Sequence, residues 1–170
     1  MSPENRALLM RANRLLGAAL VENNLVKVDD LEKANEKLFE IIASQNVRQS
    51  TLLGVLANHM KVLQEDDVLA HVIEHEPVGL IDLRSYDVSE ELRKSVDIGV
   101  CWATWTVPFD KEDDFYSVAT AYYLSTAVRK HWEKVLGAPI IWYATTLDMI
   151  ADFLEKMEAD RAAVPGAAKP

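Results

Sequence analysis

Five residues, His71-Val72-Ile73-Glu74-His75, have the types and spacing to hold a metal ion and hydrolyse a peptide. The string matches the H-x-x-E-H pattern of the inverted zinc peptidases. On a helix, His71 and His75 lie one turn apart on the same face, so both imidazoles can reach one ion. A catalytic zinc also needs a third ligand and an enclosing cleft, and Pro77 follows the string almost at once. A five-residue pattern arises easily by chance in a chain with four histidines, so these are read as solvent-facing helix histidines and no metal is assigned.

Other reactive constellations are missing. There is no G-x-x-x-x-G-K-[ST] loop to cradle a triphosphate, no G-x-G-x-x-G after a strand, and no G-x-S-x-G elbow. Cys101, between Val100 and Trp102, reads as an inert thiol packed inside an apolar strand. His131 follows Arg129 and Lys130, a poor setting for a general base. The acid pairs Asp29-Asp30 and Asp66-Asp67 open helices, and Asp113-Asp114 tips a hairpin, so all three have local structural reasons to be acidic. No catalytic residue and no cofactor are assigned, and the chain is read as a non-enzyme.

The elements that position these residues follow from composition and period. The 170 residues are 49% hydrophobic, enough for a real core, and none of the apolar runs approaches the ~20 residues that cross a bilayer. A net charge of -9 argues against nucleic acid as the partner. The single cysteine fits a reducing compartment, and the apolar run Leu15–Val21 lacks the cleavage site of a secretion signal. The expected fold class is α+β. Residues 1–76 form a helical subdomain, 77–160 a small β-α-β-β-α-β-α subdomain, and 161–170 a disordered tail. In the second part, strands are expected at Val78–Leu83, Val100–Phe109, Phe115–Tyr122 and Pro139–Thr145. Helices start at Ser89 and Ser125, the latter closed by Gly137, and a last one runs to about Arg161. All four tryptophans fall there, read mostly as core.

The helical part repeats itself. A shift of 37 residues lays Leu15-Leu16-Gly17 on Leu52-Leu53-Gly54 and Asp29-Asp30 on Asp66-Asp67. Two copies, at about 15–38 and 52–75, indicate a duplicated helix pair, four helices in all, rather than a solenoid.

Leu-Gly-x-x-Leu-Val at Leu16–Val21, its echo from Leu53, and Leu80-Ile81-Asp82-Leu83 resemble the N-terminal domain of the type II secretion and type IV pilus assembly ATPases, the GspE/MshE family. The resemblance continues through Ser89-Glu90-Glu91-Leu92, Val107-Pro108-Phe109, Leu124–Arg129 and Leu136–Ile140, and the ATPase core is lacking. It implies a cytoplasmic docking or regulatory domain, held at the inner membrane through a protein partner, either an assembly component or the ATPase. It also implies a second role, because some members bind cyclic di-GMP through the two repeats. Carried over to this chain, that site comprises Arg14, Leu16, Gly17, Leu20, Val21, Arg48, Leu53 and Gly54. The chain departs from the pattern at its polar positions. Leu15 and Leu52 stand where the family has arginine, Asn24 and Lys61 where it has glycine, and Leu38 and His75 where it has glutamine; Arg14 and Arg48 lie a little before the arginine positions.

Overall fold

The computed structural model describes residues 1–44 and 50–163. Ser2 accepts from the Asn5 amide, and Pro3 opens the first helix, α1 (Pro3–Glu22). Then come α2 (Val28–Ala43), the short α3 (Leu52–Gly54) continuing as a π-helical turn Val55–His59, and α4 (Glu65–His75). Strand β1 (Gly79–Leu80) leads into a 3₁₀ turn (Leu83–Ser85), then α5 (Glu90–Ser95), capped by Ser89, and α6 (Ile98–Thr104), capped by Asp97. The hairpin β2 (Thr106–Lys111) and β3 (Tyr116–Thr120) follows, then α7 (Thr126–Leu136), β4 (Ile140–Ala144) and α8 (Leu147–Ala163).

The expected α+β class holds. The four strands form one sheet in the order β1-β4-β3-β2, with β4 parallel to both β1 and β3 and β2 antiparallel to β3. A bulge between Pro108 and Asp110 bends the hairpin. Trp102, Trp105, Trp132 and Trp142 are all buried.

The sheet-containing half differs from expectation in four places. The strand expected over Val100–Phe109 is divided: its first residues form α6, and only Thr106 onward is strand. The Asp97 carboxylate accepts from the Val100 amide and starts a helix buried nearly all round, a pattern that periodicity cannot tell from a buried strand. Cys101 therefore lies on a helix. The strand expected over Val78–Leu83 shrinks to Gly79–Leu80, because Asp82 accepts from its neighbour Arg84's amide and turns the chain. Ser125 sits at the N-cap of α7, yet its hydroxyl donates to Ala12 O (2.8 Å) rather than capping. The last helix runs on to Ala163, so Arg161, Ala162 and Ala163 are helical; the rest of the expected tail, and the connector 45–49, lie outside the described residues.

One buried side chain joins the two halves. Asn13, on α1, uses all four of its hydrogen-bonding positions. Its Nδ2 donates to Leu9 O (2.9 Å) and Ser50 O (3.5 Å), and its Oδ1 accepts from Leu52 N (2.9 Å) and the Tyr122 hydroxyl (2.6 Å). With the Tyr122 proton given to Asn13, the Thr51 hydroxyl 2.6 Å away donates to Tyr122 and accepts from Gly54 N. Around this network α1 packs on α6 and α7, and one hydrophobic cluster runs from Leu8 through Leu16 and Leu53 to Val118 and Leu154. The Tyr122 phenol is fully buried, which pushes its pKa well up and keeps it protonated.

A second link holds α4 to α8. Glu65 Oε1 accepts from Leu147 N (3.0 Å), the first amide of α8. Burial, with Asp148 and Asp66 nearby, raises the Glu65 pKa above its ordinary 4.5, against the opposing pull of the Leu147 amide.

Two outcomes test these links. Tyr122→Phe leaves Thr51 and Asn13 each short of a buried partner, so unfolding in urea should show a loss of about 1–3 kcal/mol with an unchanged m value. For Glu65, the folded chain holds more protons than the unfolded one between pH 4.5 and the raised value, so its contribution to stability falls as pH rises through that window. Glu65→Gln should flatten that fall in a pH series of urea midpoints while keeping an acceptor for Leu147 N.

Candidate functional site

Positions 37 residues apart share backbone geometry. Asn24 and Lys61 both enter the left-handed region, at φ 58° and 54°. They stand where the resemblance places a glycine, and each ends the first helix of its unit. Lys27 and Gln64, again 37 apart, are extended N-caps without a side-chain cap bond, and the acids that follow sit at the positive pole of each second helix. The two units touch at their matching helices, where a Cβ at Gly17 would lie 3.0 Å from Leu52 Cδ2, and within the first unit the same Cβ would lie 2.8 Å from Leu31 Cδ1.

Most of the expected site residues are packing residues. Leu16, Gly17, Leu20, Leu53 and Gly54 are buried, Val21 is half-buried, and Arg14 is exposed on α1. Gly54 is held against Thr51, where a Cβ would lie 2.8 Å from Thr51 Cγ2. Arg48 lies outside the described residues. Where the family pattern has arginine, Leu15 is half-buried and Leu52 fully buried. The structure thus brings Gly17 and the Leu52–Gly54 segment together and leaves Arg14 on the surface.

The histidine string forms no metal cage. The rings of His71 and His75 stack 4.3 Å apart, and His75 Nδ1 lies 2.9 Å from His71 O. Among the described residues no group of three or more His, Cys, Asp or Glu side chains is placed to share an ion. The Cys101 thiol is fully buried, which raises its pKa far from the thiolate range. His131 is half-buried, and burial and then Arg11 lower its pKa. No helix is long and apolar enough to cross a membrane, among the described residues.

A cleft of about 240 Å³ lies between the π-helical turn and the start of α8, and sequence reasoning missed it. Val55, Asn58 and His59 line one wall, Leu147 and Asp148 the other, and Trp105 also faces it. Only Gly54 was among the expected residues. Neither a π turn nor a left-handed tryptophan has a sequence mark. The one clue was the second unit's loss of Leu-Val, with Ala57-Asn58 standing opposite Leu20-Val21.

The sequence matches no protein-family model and no curated protein. Solved structures do match. The N-terminal domain of XpsE is similar in two crystal forms. The first has 18% identity over 91% of this chain and 96% of that domain, with a TM-score of 0.53. The second also has 18% identity, over 85% of this chain and 94% of that domain, with a TM-score of 0.56. A structure of MshE with cdg matches at 16% identity over 84% of this chain and 97% of that one, with a TM-score of 0.51. The fold expected from the resemblance, that of the N-terminal domains of GspE/MshE-like ATPases, is the fold this chain has.

Proposed function

We propose that this chain is a non-enzymatic docking or regulatory domain of a bacterial type II secretion or type IV pilus-like system. In this reading it works in the cytoplasm and is held at the inner membrane by an assembly component or the ATPase. The observation that carries it is the likeness to the XpsE N-terminal domain over nearly the whole of both chains. The surface agrees with a docking role. Val28 and Phe39 are 55% and 57% exposed on α2, and eleven residues make about three helical turns, so both lie on one face. The test is capture: the purified chain on a support, challenged with detergent-extracted membranes of its source. An inner-membrane assembly protein of such a system should be enriched, and the enrichment should fall with Phe39→Asp. Recovery of no assembly component would overturn the proposal.

A second reading, a divergent cyclic di-GMP receptor, is favoured by one observation, the likeness to MshE with cdg. Its site would be Arg14, Leu16, Gly17, Leu20, Val21, Arg48, Leu53 and Gly54. The left-handed turns at Asn24 and Lys61 support it, since they stand where the resemblance places glycine, the residue that takes that conformation most readily. The leucines in the arginine positions weaken it, because phosphate recognition needs placed cations. Calorimetric titration with cyclic di-GMP, with GTP as control, decides. The reading requires binding at about micromolar Kd, the range of a specific small-ligand site, weakened by Arg14→Ala and by Arg48→Ala. Flat traces overturn it.

A further inference from the structure

The two edges of the sheet are guarded unequally. An edge strand offers unpaired N–H and C=O groups to any further strand, and proteins ordinarily blunt it. Strand β2, at one edge, carries Pro108, a bulge between Pro108 and Asp110, and Lys111 at its end, and α5 and α8 pack on it. Strand β1, at the other edge, has only its shortness for protection. Gly79 and Leu80 are both exposed. At 61%, Leu80 is the most exposed large hydrophobic residue among the described ones.

The ladder fixes which backbone groups point outward. β1 runs parallel to β4 with Leu80 beside Ala144, and Ile81 N donates to Ala144 O (3.3 Å). In that register residues 79 and 81 face β4, so the N–H and C=O of Leu80 face away from it. Neither has a partner among the described residues. Asp82 is also extended, at φ -101° and ψ 103°, and its N–H has the same parity and no partner. Val78 O completes the row on the other side, while the Val78 amide is turned back to Glu76 O.

This row is its own complement under a two-fold rotation. With Leu80 set antiparallel to the partner's Leu80, each Leu80 N–H meets the other copy's C=O, and each Asp82 N–H meets the other copy's Val78 O. The two exposed leucine side chains then cover each other on one face. Charge agrees with the same register. Glu76 and Arg84 lie four residues to either side of Leu80, so Glu76 stands opposite the partner's Arg84 at both ends. Glu76 has no ion pair among the described residues. The Arg84 side chain is 71% exposed while it pairs with Asp82, so its guanidinium has room for a second acid.

We infer that β1 is a self-association edge: two copies of this chain join their sheets antiparallel across Leu80, with Glu76 of each against the partner's Arg84. The inference does not rest on the docking reading, whose exposed apolar residues lie on α2.

Sedimentation equilibrium of the full chain tests it, in salt of about 150 mM so that the net charge of -9 is screened. The average mass should climb towards that of two chains with a Kd of about 100 µM or tighter, the weak range of a small interface. Leu80→Pro removes the outward N–H without taking a bond from β4, and should weaken association about tenfold or more. Arg84→Glu sets like charges at both ends and should weaken it about fivefold. Combining Arg84→Glu with Glu76→Arg should restore it, and these exposed-edge changes keep the test open if Leu80→Pro fails to fold. Phe39→Asp, on α2, should leave association unchanged. A mass that stays at one chain up to about 1 mM, association that survives Leu80→Pro, or a charge exchange that restores nothing would each overturn the inference. Loss of association in Phe39→Asp would overturn it too, by seating the second copy on α2.

Discussion

Everything else in this structure is arranged around a buried amide that cannot be left unsatisfied. Asn13 sits on α1 with no access to water, and its four hydrogen bonds run along its own helix, to the start of the second repeat unit and to the end of β3. An unpaired group there would cost about 1–3 kcal/mol, so the three segments must arrive together. That is why α1, which belongs to the helical half in sequence, lies on α6 and α7. Ser125 reinforces the join by donating to Ala12 O next to Asn13, and gives up its own capping role to do so. A purely apolar seam would hold the halves together as firmly, but it would not define their register so narrowly.

The duplicated unit shows how much sequence a backbone path can lose. In both copies the chain leaves its first helix through a left-handed residue, yet neither copy has glycine there. Asparagine tolerates the conformation because its short polar side chain can bond locally, and Asn23 beside it donates to Ala19 O. Lysine has no such compensation. In the second copy the preceding helix is the one that loosens into a π turn, and Val62 N reaches back to Leu56 O. The left-handed residue Lys61 and the widened turn before it lie next to each other.

Helices were legible where apolar period and cap agreed, as in α1, opened by Ser2 and Pro3. Gly137, at φ 61°, closes α7 where a left-handed residue was expected, and Ser89 caps α5 through Leu92 N. Reading failed where burial was complete. Cys101 to Phe109 is buried residue by residue, so neither a 3.6- nor a 2-residue period survives, and the Asp97 cap that decides for helix looked like any loop acid. The site was less legible still. Leu16, Leu20 and Leu53 were recognisable as motif residues, but nothing in their identity says that they face the core rather than a ligand. Trp105, which lines the cleft, has a left-handed backbone, a conformation that no residue type other than glycine announces.

The retained and lost parts of the repeat sort by physical role. Gly17 and Gly54 match the pattern and serve packing, Gly17 leaving room for Leu31 and Leu52 and Gly54 for Thr51, whereas Asn24 and Lys61 stand in the other glycine positions and Ala57-Asn58 stands opposite Leu20-Val21. Leu15, Leu52, Leu38 and His75 stand where the resemblance places arginine and glutamine, and Leu52 and Leu38 are part of the core. Val28 and Phe39, the large apolar side chains exposed on α2, lie outside these motif positions, so the surface proposed for docking and the packing of the two units are set by different residues.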